Sequence, residues 1–138
     1  MADLERLTFT IERPLYRRMQ QLMQKTRCRN RSEFIRDLLR ARLVEEHWEA
    51  DEEALGTITL LYNHEKRDLS RKLTDVQHHH HDEVLATTHV HLDRHTCAEM
   101  IMVRGRAKVI EDLAQALGQE KGVLHASVAI GSTGRRLA

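Results

Sequence analysis

Residues 4–11 read Leu-Glu-Arg-Leu-Thr-Phe-Thr-Ile. Leu7, Phe9 and Ile11 alternate with Arg6, Thr8 and Thr10, the period of a strand with one buried face. Pro14 then stands where a helix can begin, and Leu15, Met19, Leu22 and Met23 recur at helical spacing. Cys28-Arg29-Asn30 breaks that pattern. Asn30 followed by Glu33 has the form of a capping box and opens a second helix, whose Phe34, Ile35, Leu38, Leu39 and Leu43 make one apolar stripe. One strand followed by two helices leaves the strand's backbone groups unpaired. A second copy pairing antiparallel would satisfy them, so residues 1–48 are expected to form an obligate dimer with Leu7, Phe9 and Ile11 facing its core.

Outward from this segment, residues 49–56 are acidic, lack a sustained apolar period and read as a linker. Thr57–Tyr62 is an expected strand, followed by a helix over Glu65–His80 with Leu69, Leu73 and Val76 on one face. Glu83–Leu92 and Thr96–Val103 read as strands around a bend at Asp93-Arg94. Arg106–Glu120 is expected to be helical, with Val109, Ile110, Leu113 and Leu117 inward and Gly122 ending it. Val123–Ile130 is the last expected strand. The order β-α-β-β-α-β over 57–131 is the ferredoxin-like arrangement. The fold class is therefore α+β, a strand-helix-helix segment followed by a ferredoxin-like domain, with a frayed tail over 132–138.

Composition narrows the function. A chain of 138 residues, 41% hydrophobic and 31% charged, makes one ordinary domain or two small ones with a core that needs no disulfides. Two cysteines, Cys28 and Cys97, make no framework and read as a reduced, cytoplasmic pair. No apolar run approaches the length of a membrane span, and Met1 to Arg6 lack the apolar stretch of a signal peptide. The net charge of +1 hides an asymmetry: residues 1–48 hold eleven Lys and Arg against seven Asp and Glu, whereas 49–138 hold eleven against fourteen. A basic first third suits a polyanion. With Leu7, Phe9 and Ile11 inward, Arg6, Thr8 and Thr10 face outward. A two-stranded ribbon carrying them fits the DNA major groove, where Arg pairs with guanine and Thr reaches a thymine methyl. The helix start at Asn30 offers free amides to a phosphate. As an ordinary solvated strand, the same residues would need no ligand.

Seven of the ten histidines lie between His78 and His95. His89 and His91, two apart on an expected strand, project from one face, and Cys97 follows after a short bend. A thiolate with imidazoles suits a late transition metal and disfavours calcium or magnesium. Gln77-His78-His79-His80-His81 ends the preceding helix, with His78 and His81 on one face. The tract is equally compatible with a solvated helix end. A catalytic Cys–His pair would need an orienting third group and a substrate pocket, and neither is legible.

The residues Arg6–Ile11 and "NRSEFIRDLLR" at Asn30–Arg40 resemble the ribbon-helix-helix repressors, a segment that also occurs in antitoxins. "YNHEKRDLSRKLTDVQHHHHDEVLATTHVHLDRHTC", Tyr62–Cys97, resembles the regulatory domain of the nickel-responsive repressors. Together the resemblance spans about residues 5–130. It implies a homotetramer, a core of four ACT-type regulatory domains flanked by two ribbon-helix-helix dimers. It implies one Ni(II) per chain in a square plane, ligated by His89, His91 and Cys97 of one chain and His78 of a neighbour. Such a plane suits Ni(II) or Cu(II), whereas Zn(II) prefers a tetrahedron. The resemblance also implies that Lys66 and Arg67 contact the DNA backbone, and that Glu33 and Asp37 lie near a second, weaker cation site. The bend Asp93-Arg94-His95-Thr96 departs from the more acidic pattern of the family, and His95 could compete as a ligand. His64, His79, His81 and His125 could support secondary metal sites without a firm role for any, and Trp48 reads as a packing residue near the linker.

The expected function is a cytoplasmic, nickel-dependent DNA-binding regulator, not an enzyme, that represses nickel uptake from a double-stranded operator of two inverted half-sites. A regulator of the same build answering copper, cobalt or zinc is one alternative. A metal-buffering protein whose ribbon only dimerises is another.

Overall fold

The computed structural model describes residues 3–137; Met1, Ala2 and Ala138, the extremes of the expected first segment and tail, lie outside the described residues. By its contacts the chain divides into two compact units, Met1–Leu39 and Arg40–Ala138.

In the first unit, residues 3–12 carry no strand, which corrects the expectation for 4–11. A lone strand has no ladder partner within its own chain, so its pattern is present without its hydrogen bonds. Helix α1 spans Arg13–Lys25 with Pro14 in its first turn, and the side chain of its N-cap, Glu12, makes no capping bond. Pro14 is tolerated there because first-turn amides lack intrahelical partners. Helix α2 spans Arg31–Glu49. Asn30 Oδ1 accepts hydrogen bonds from the backbone N–H of Ser32 at 2.9 Å and Glu33 at 3.2 Å, an N-cap. The reciprocal half of the expected capping box is replaced by an ion pair between Glu33 and Arg36, one turn on. Asn30→Ala is expected to cost about 1 kcal/mol of stability, measured by denaturant unfolding at fixed protein concentration. Leu15, Leu22, Leu38 and Leu39 are all more than half exposed, as are Leu7 and Phe9.

The second unit is built on a four-stranded sheet. Its strands are β1 (Glu53–Asn63), β2 (Val84–His91), β3 (Thr96–Arg106) and β4 (Val123–Gly131), ordered β2-β3-β1-β4 with every neighbouring pair antiparallel. Helices α3 (Leu69–His78) and α4 (Ala107–Gly118) complete the βαββαβ order. Residues 53–56, expected in the linker, instead begin β1, and α2 runs on through Glu49. Alternation explains the early start: from Ala54 every second residue of β1 is buried. Ile58, Leu60 and Tyr62 meet Ile101 and Val103 of β3, Leu69 and Leu73 of α3, and Ile110, Leu113 and Leu117 of α4 in one core.

Four details differ from the sequence reading. Helix α3 begins at Leu69 rather than Glu65, because residues 64–68 form turns and Asp68 takes a left-handed conformation at φ 62°. At its other end α3 stops at His78, two residues short of the expected His80. Helix α4 ends at Gly118, while Gly122 sits four residues on, in the turn before β4, at φ +104°, where a side chain is strained. The tail is held rather than frayed. Arg135 pairs with Glu53 at 3.3 Å, Arg136 with Glu52 at 2.9 Å, and Arg40 Nε donates to Leu137 O at 3.2 Å.

The α2–β1 turn also closes α4. Asp51 Oδ1 accepts from Lys108 N–H at 2.8 Å, Glu52 O accepts from Ala107 N–H at 3.1 Å, and Arg106 Nε donates to Asp51 Oδ2 at 3.0 Å. Those bonds satisfy amides that an α-helix leaves open. The backbone bond from Lys108, then the Arg106 guanidinium, hold the Asp51 carboxyl below its ordinary range. Among the described residues no helix is long and apolar enough to cross a membrane.

Candidate metal centre

The centre lies at the end of the sheet where β1, β2 and β3 meet. In the register of the β2–β3 pair, His91 stands opposite Cys97 and His89 opposite Glu99; across β1, Cys97 stands opposite Tyr62. Residues paired across a ladder share a face, so His89, His91, Cys97, Glu99 and Tyr62 all point to the side covered by helices. Cys97 Sγ lies 3.3 Å from His91 Nδ1. The His89 ring is 5.3 Å from that of His91 and 6.0 Å from that of Tyr62. The hairpin brings Cys97 and His91 into contact and sets His89 on the same face, but His89 is not among the donor atoms that gather within 4.8 Å of one another.

Cys97 is fully buried. Burial, then the charges of Glu99 and Asp93, pushes its thiol pKa up. Burial of this kind disfavours the thiolate and so makes the thiol a weaker nucleophile than an exposed one. Coordination by a cation would displace the thiol proton. Burial also pushes the Tyr62 phenol up to about 12.

Sequence reading missed a polar chain beneath the site. Gln77, buried at the end of α3, donates from Nε2 to Glu99 Oε2 at 3.1 Å, and its Oε1 accepts from Thr87 Oγ1 at 3.1 Å. Burial raises the Glu99 carboxyl pKa against the lowering by Gln77 and His89. Three polar side chains thus fix the α3 turn that ends in His78 to strands β2 and β3. Local periods put Gln77 on the buried face of α3 and Glu99 on the buried face of β3, but nothing local pairs two residues 22 apart in sequence.

His64 was also unassigned. Its ligand atom and those of His91 and Cys97 all lie within 4.8 Å of one another, the only such group of three or more among the described residues. Its Nδ1 is buried with no hydrogen-bond partner. A partial signal existed: His64 stands two residues after Tyr62, one past the end of β1, close in sequence to the strand end that meets Cys97. Soft sulfur, imidazole nitrogen and a buried orphan nitrogen form a donor set suited to a late transition cation.

The remaining expected residues lie elsewhere. His78 is exposed at the end of α3 and is not among the grouped donors. His79 and His80 turn their Nδ1 atoms back to the Asp75 and Val76 carbonyls, at 2.7 and 3.2 Å. His95 Nδ1 is occupied by Glu65 Oε1 at 2.8 Å rather than joining the site. Asp93 Oδ1 accepts from His95 N–H and Thr96 N–H, both at 2.8 Å, and so shapes the bend. Arg6, Thr8 and Thr10 are exposed in the segment before α1, and Asn30 caps α2. Lys66 and Arg67 are exposed in the turns before α3, not in its first turn. Glu33 pairs with Arg36, and Glu33 and Asp37 do not form a ligand group of three.

A thiol and imidazoles gathered on a ferredoxin-like sheet, in a chain that also carries a two-helix segment with exposed leucines, are the parts of a metal-binding domain joined to a helical segment. Residues 55–130 match the family described as NikR C terminal nickel binding domain, and residues 5–46 match ribbon-helix-helix protein, copG family. A protein of Geotalea uraniireducens strain Rf4 named "Putative nickel-responsive regulator" is 46% identical over 138 residues, covering 99% of each chain. A protein of the same name from Pyrococcus abyssi is 41% identical, covering 98% of this chain and 99% of its own. In fold alone, the chain is similar to an uncharacterized protein of Thermotoga maritima, with a TM-score of 0.52 at 15% identity over 57% of this chain and 98% of that one. The chain belongs to the nickel-responsive regulator family, which pairs a ribbon-helix-helix segment with the NikR nickel-binding domain; it is a regulator, not an enzyme.

Proposed function

We propose that this protein is a cytoplasmic, nickel-activated repressor of nickel uptake that grips two inverted DNA half-sites as a homotetramer, a dimer of dimers. Residues 1–48 serve as the DNA-reading domain, 49–56 join it to the rest, and 57–131 hold the metal and the tetramer contacts. The observation that carries the reading is the meeting of Cys97 and His91 at 3.3 Å with His89 on the same face. His89, His91 and Cys97 of one chain and His78 of a neighbouring chain hold one Ni(II) per chain. Bound there, Ni(II) supplies a cross-link between chains, and an effector favours DNA binding only if it stabilises the DNA-competent arrangement more than the others. Gln77, bonded to Glu99, fixes the turn that carries His78.

Burial supports assembly. Among the described residues of the first unit, Met23 alone is buried, while Leu7 and Phe9 are 81% and 62% exposed. A segment with so small a core of its own depends on a partner. The sheet also presents Val90, Met100 and Met102, each more than 40% exposed, in keeping with a second contact between chains. Lys66 and Arg67 contact the DNA backbone, Asn30 presents its helix start to a phosphate, and Glu33 and Asp37 belong to a weaker cation site.

Base reading falls to Arg6, Thr8 and Thr10. Arg6→Ala is expected to weaken operator binding by about 1–3 kcal/mol and to relax its specificity, measured by fluorescence anisotropy on operator and random duplexes. Equal weakening on both would contradict base reading. The overall test is a titration of the metal-free protein with Ni(II), Cu(II), Co(II) and Zn(II) in the presence of operator DNA. Tight binding with nickel supports the proposal. Binding driven as well by another ion, or no specific binding with any, overturns it.

A further inference from the structure

We propose that residues 132–137 form a releasable strap that fastens the second half of α2 to the sheet, and that this hold is part of how nickel governs DNA binding. The regulatory part rests on the function proposed above; the strap stands without it. Arg40, Val44 and Trp48 are spaced four residues apart, so they share one face of α2. Trp48 is buried and its Nε1 donates to Gly131 O, Val44 packs against the core, and Arg40 Nε donates to Leu137 O at 3.2 Å. The segment after β4 therefore runs back along α2, from its last turn to a point eight residues earlier, about 12 Å along the helix axis.

The backbone is shaped for that return. Ser132 Oγ accepts from Gly134 N–H at 2.9 Å, and Gly134 and Arg136 take left-handed conformations at φ 87° and 58°. Glycine adopts such a conformation freely, whereas an arginine there is uncommon. Arg136 is held by Glu52 at 2.9 Å and Arg135 by Glu53 at 3.3 Å. Each carboxylate also meets a cation from elsewhere in the fold: His47 Nε2 of α2 lies 3.6 Å from Glu52, and Arg104 Nε of β3 lies 2.9 Å from Glu53. The strap is thus tied to α2, to the α2–β1 turn and, through Glu53, to the sheet.

Its fastening is light. The side chains of Arg135 and Arg136 are each 74% exposed, and exposed ion pairs contribute little singly and are screened by salt. Of the residues of α2, Trp48 alone is buried, and residues 40–44 are exposed or half-buried. A stretch with so little buried surface opens locally at low free energy. Helix α2 is continuous from Arg31 to Glu49, with Arg40 at the start of the second unit. A helix whose seating has two states, strapped and released, is the kind of element through which an effector can bias DNA binding.

The test uses the full-length protein, a chain ended after Thr133, and an Arg135→Ala/Arg136→Ala variant that keeps the full length. Hydrogen exchange is followed by mass spectrometry without metal. The amides of residues 40–44 are expected to exchange at least about tenfold faster in the shortened chain and by a smaller factor in the double variant, with residues 58–62 unchanged. If the shortened chain failed to fold, the double variant would carry the test. Unchanged exchange over 40–44 in both, or acceleration spread equally over 58–62, would overturn the strap. Nickel is then titrated by absorption, and operator affinity is read by anisotropy with and without nickel. The absorption titration is expected to be unchanged, while the ratio of the two operator affinities falls at least about fivefold in the shortened chain. An unchanged ratio beside faster exchange would overturn the regulatory role. If the full-length protein bound no operator under any metal, the DNA reading would fall, whereas faster exchange over 40–44 would still support the strap.

Discussion

Cys97→Ala is expected to abolish the thiolate–nickel absorption band and with it all nickel dependence of DNA binding, while the metal-free fold survives. Cys97 supplies the only sulfur at the site, and imidazoles alone give a harder donor set with a weaker preference for planar coordination. The cost to the fold is small by comparison. The substitution removes one buried sulfhydryl and leaves a methyl in a core that includes Tyr62, Ile101 and Leu73, a loss on the order of 1 kcal/mol. Absorption titration, anisotropy on operator DNA and circular dichroism separate these outcomes. A variant that kept its nickel response would remove Cys97 from the ligand set. A variant that failed to fold would show the thiol to be more important to packing than its size suggests, and Cys97→Ser would then carry the test.

Trp48→Ala is expected to produce the largest loss of stability of any substitution outside the sheet, about 3–5 kcal/mol in denaturant unfolding at fixed protein concentration. Trp48 is 7% exposed in the last turn of α2 and belongs to the core cluster. Its ring lies so close to Gly56 that a Cβ there would stand 3.0 Å from it. Its Nε1 donates to Gly131 O at 2.9 Å, joining α2 to the end of β4. Truncation therefore opens a cavity and leaves a carbonyl without this donor. Trp48→Phe keeps much of the packing and is expected to cost less than half as much. Equal losses for the two would show that the indole hydrogen bond, rather than ring volume, holds the helix end.

Strand and helix periods made most of this fold legible. The alternation Ile58, Leu60, Tyr62 on β1, and the spacing of Ile110, Leu113 and Leu117 on α4, follow from which face must be buried. Element ends were less legible. Helix α3 loses its expected first turn because Asp68 adopts a left-handed conformation, and α4 stops at Gly118 well before Gly122. Such ends depend on caps from other parts of the chain, as Asp51 shows at the start of α4. The strand expected over residues 4–11 has a clear pattern but forms no ladder in the single chain; in the proposed assembly its pairing partner is another copy.

The sequence by itself determined the α+β order, the basic first segment, and the candidate ligands His89, His91 and Cys97, which lie within nine consecutive residues of one hairpin. Strand period two and a short bend are local rules, so their consequence is local and can be counted along the chain. Only the tertiary structure decided that His64 joins His91 and Cys97, that Gln77 reaches Glu99, that the tail is clasped by Glu52 and Glu53, and that Trp48 finds a carbonyl 83 residues away. Those contacts join segments distant in sequence. They are set by sheet order and register, which place β1 between β3 and β4, and no periodicity within a single element encodes that choice.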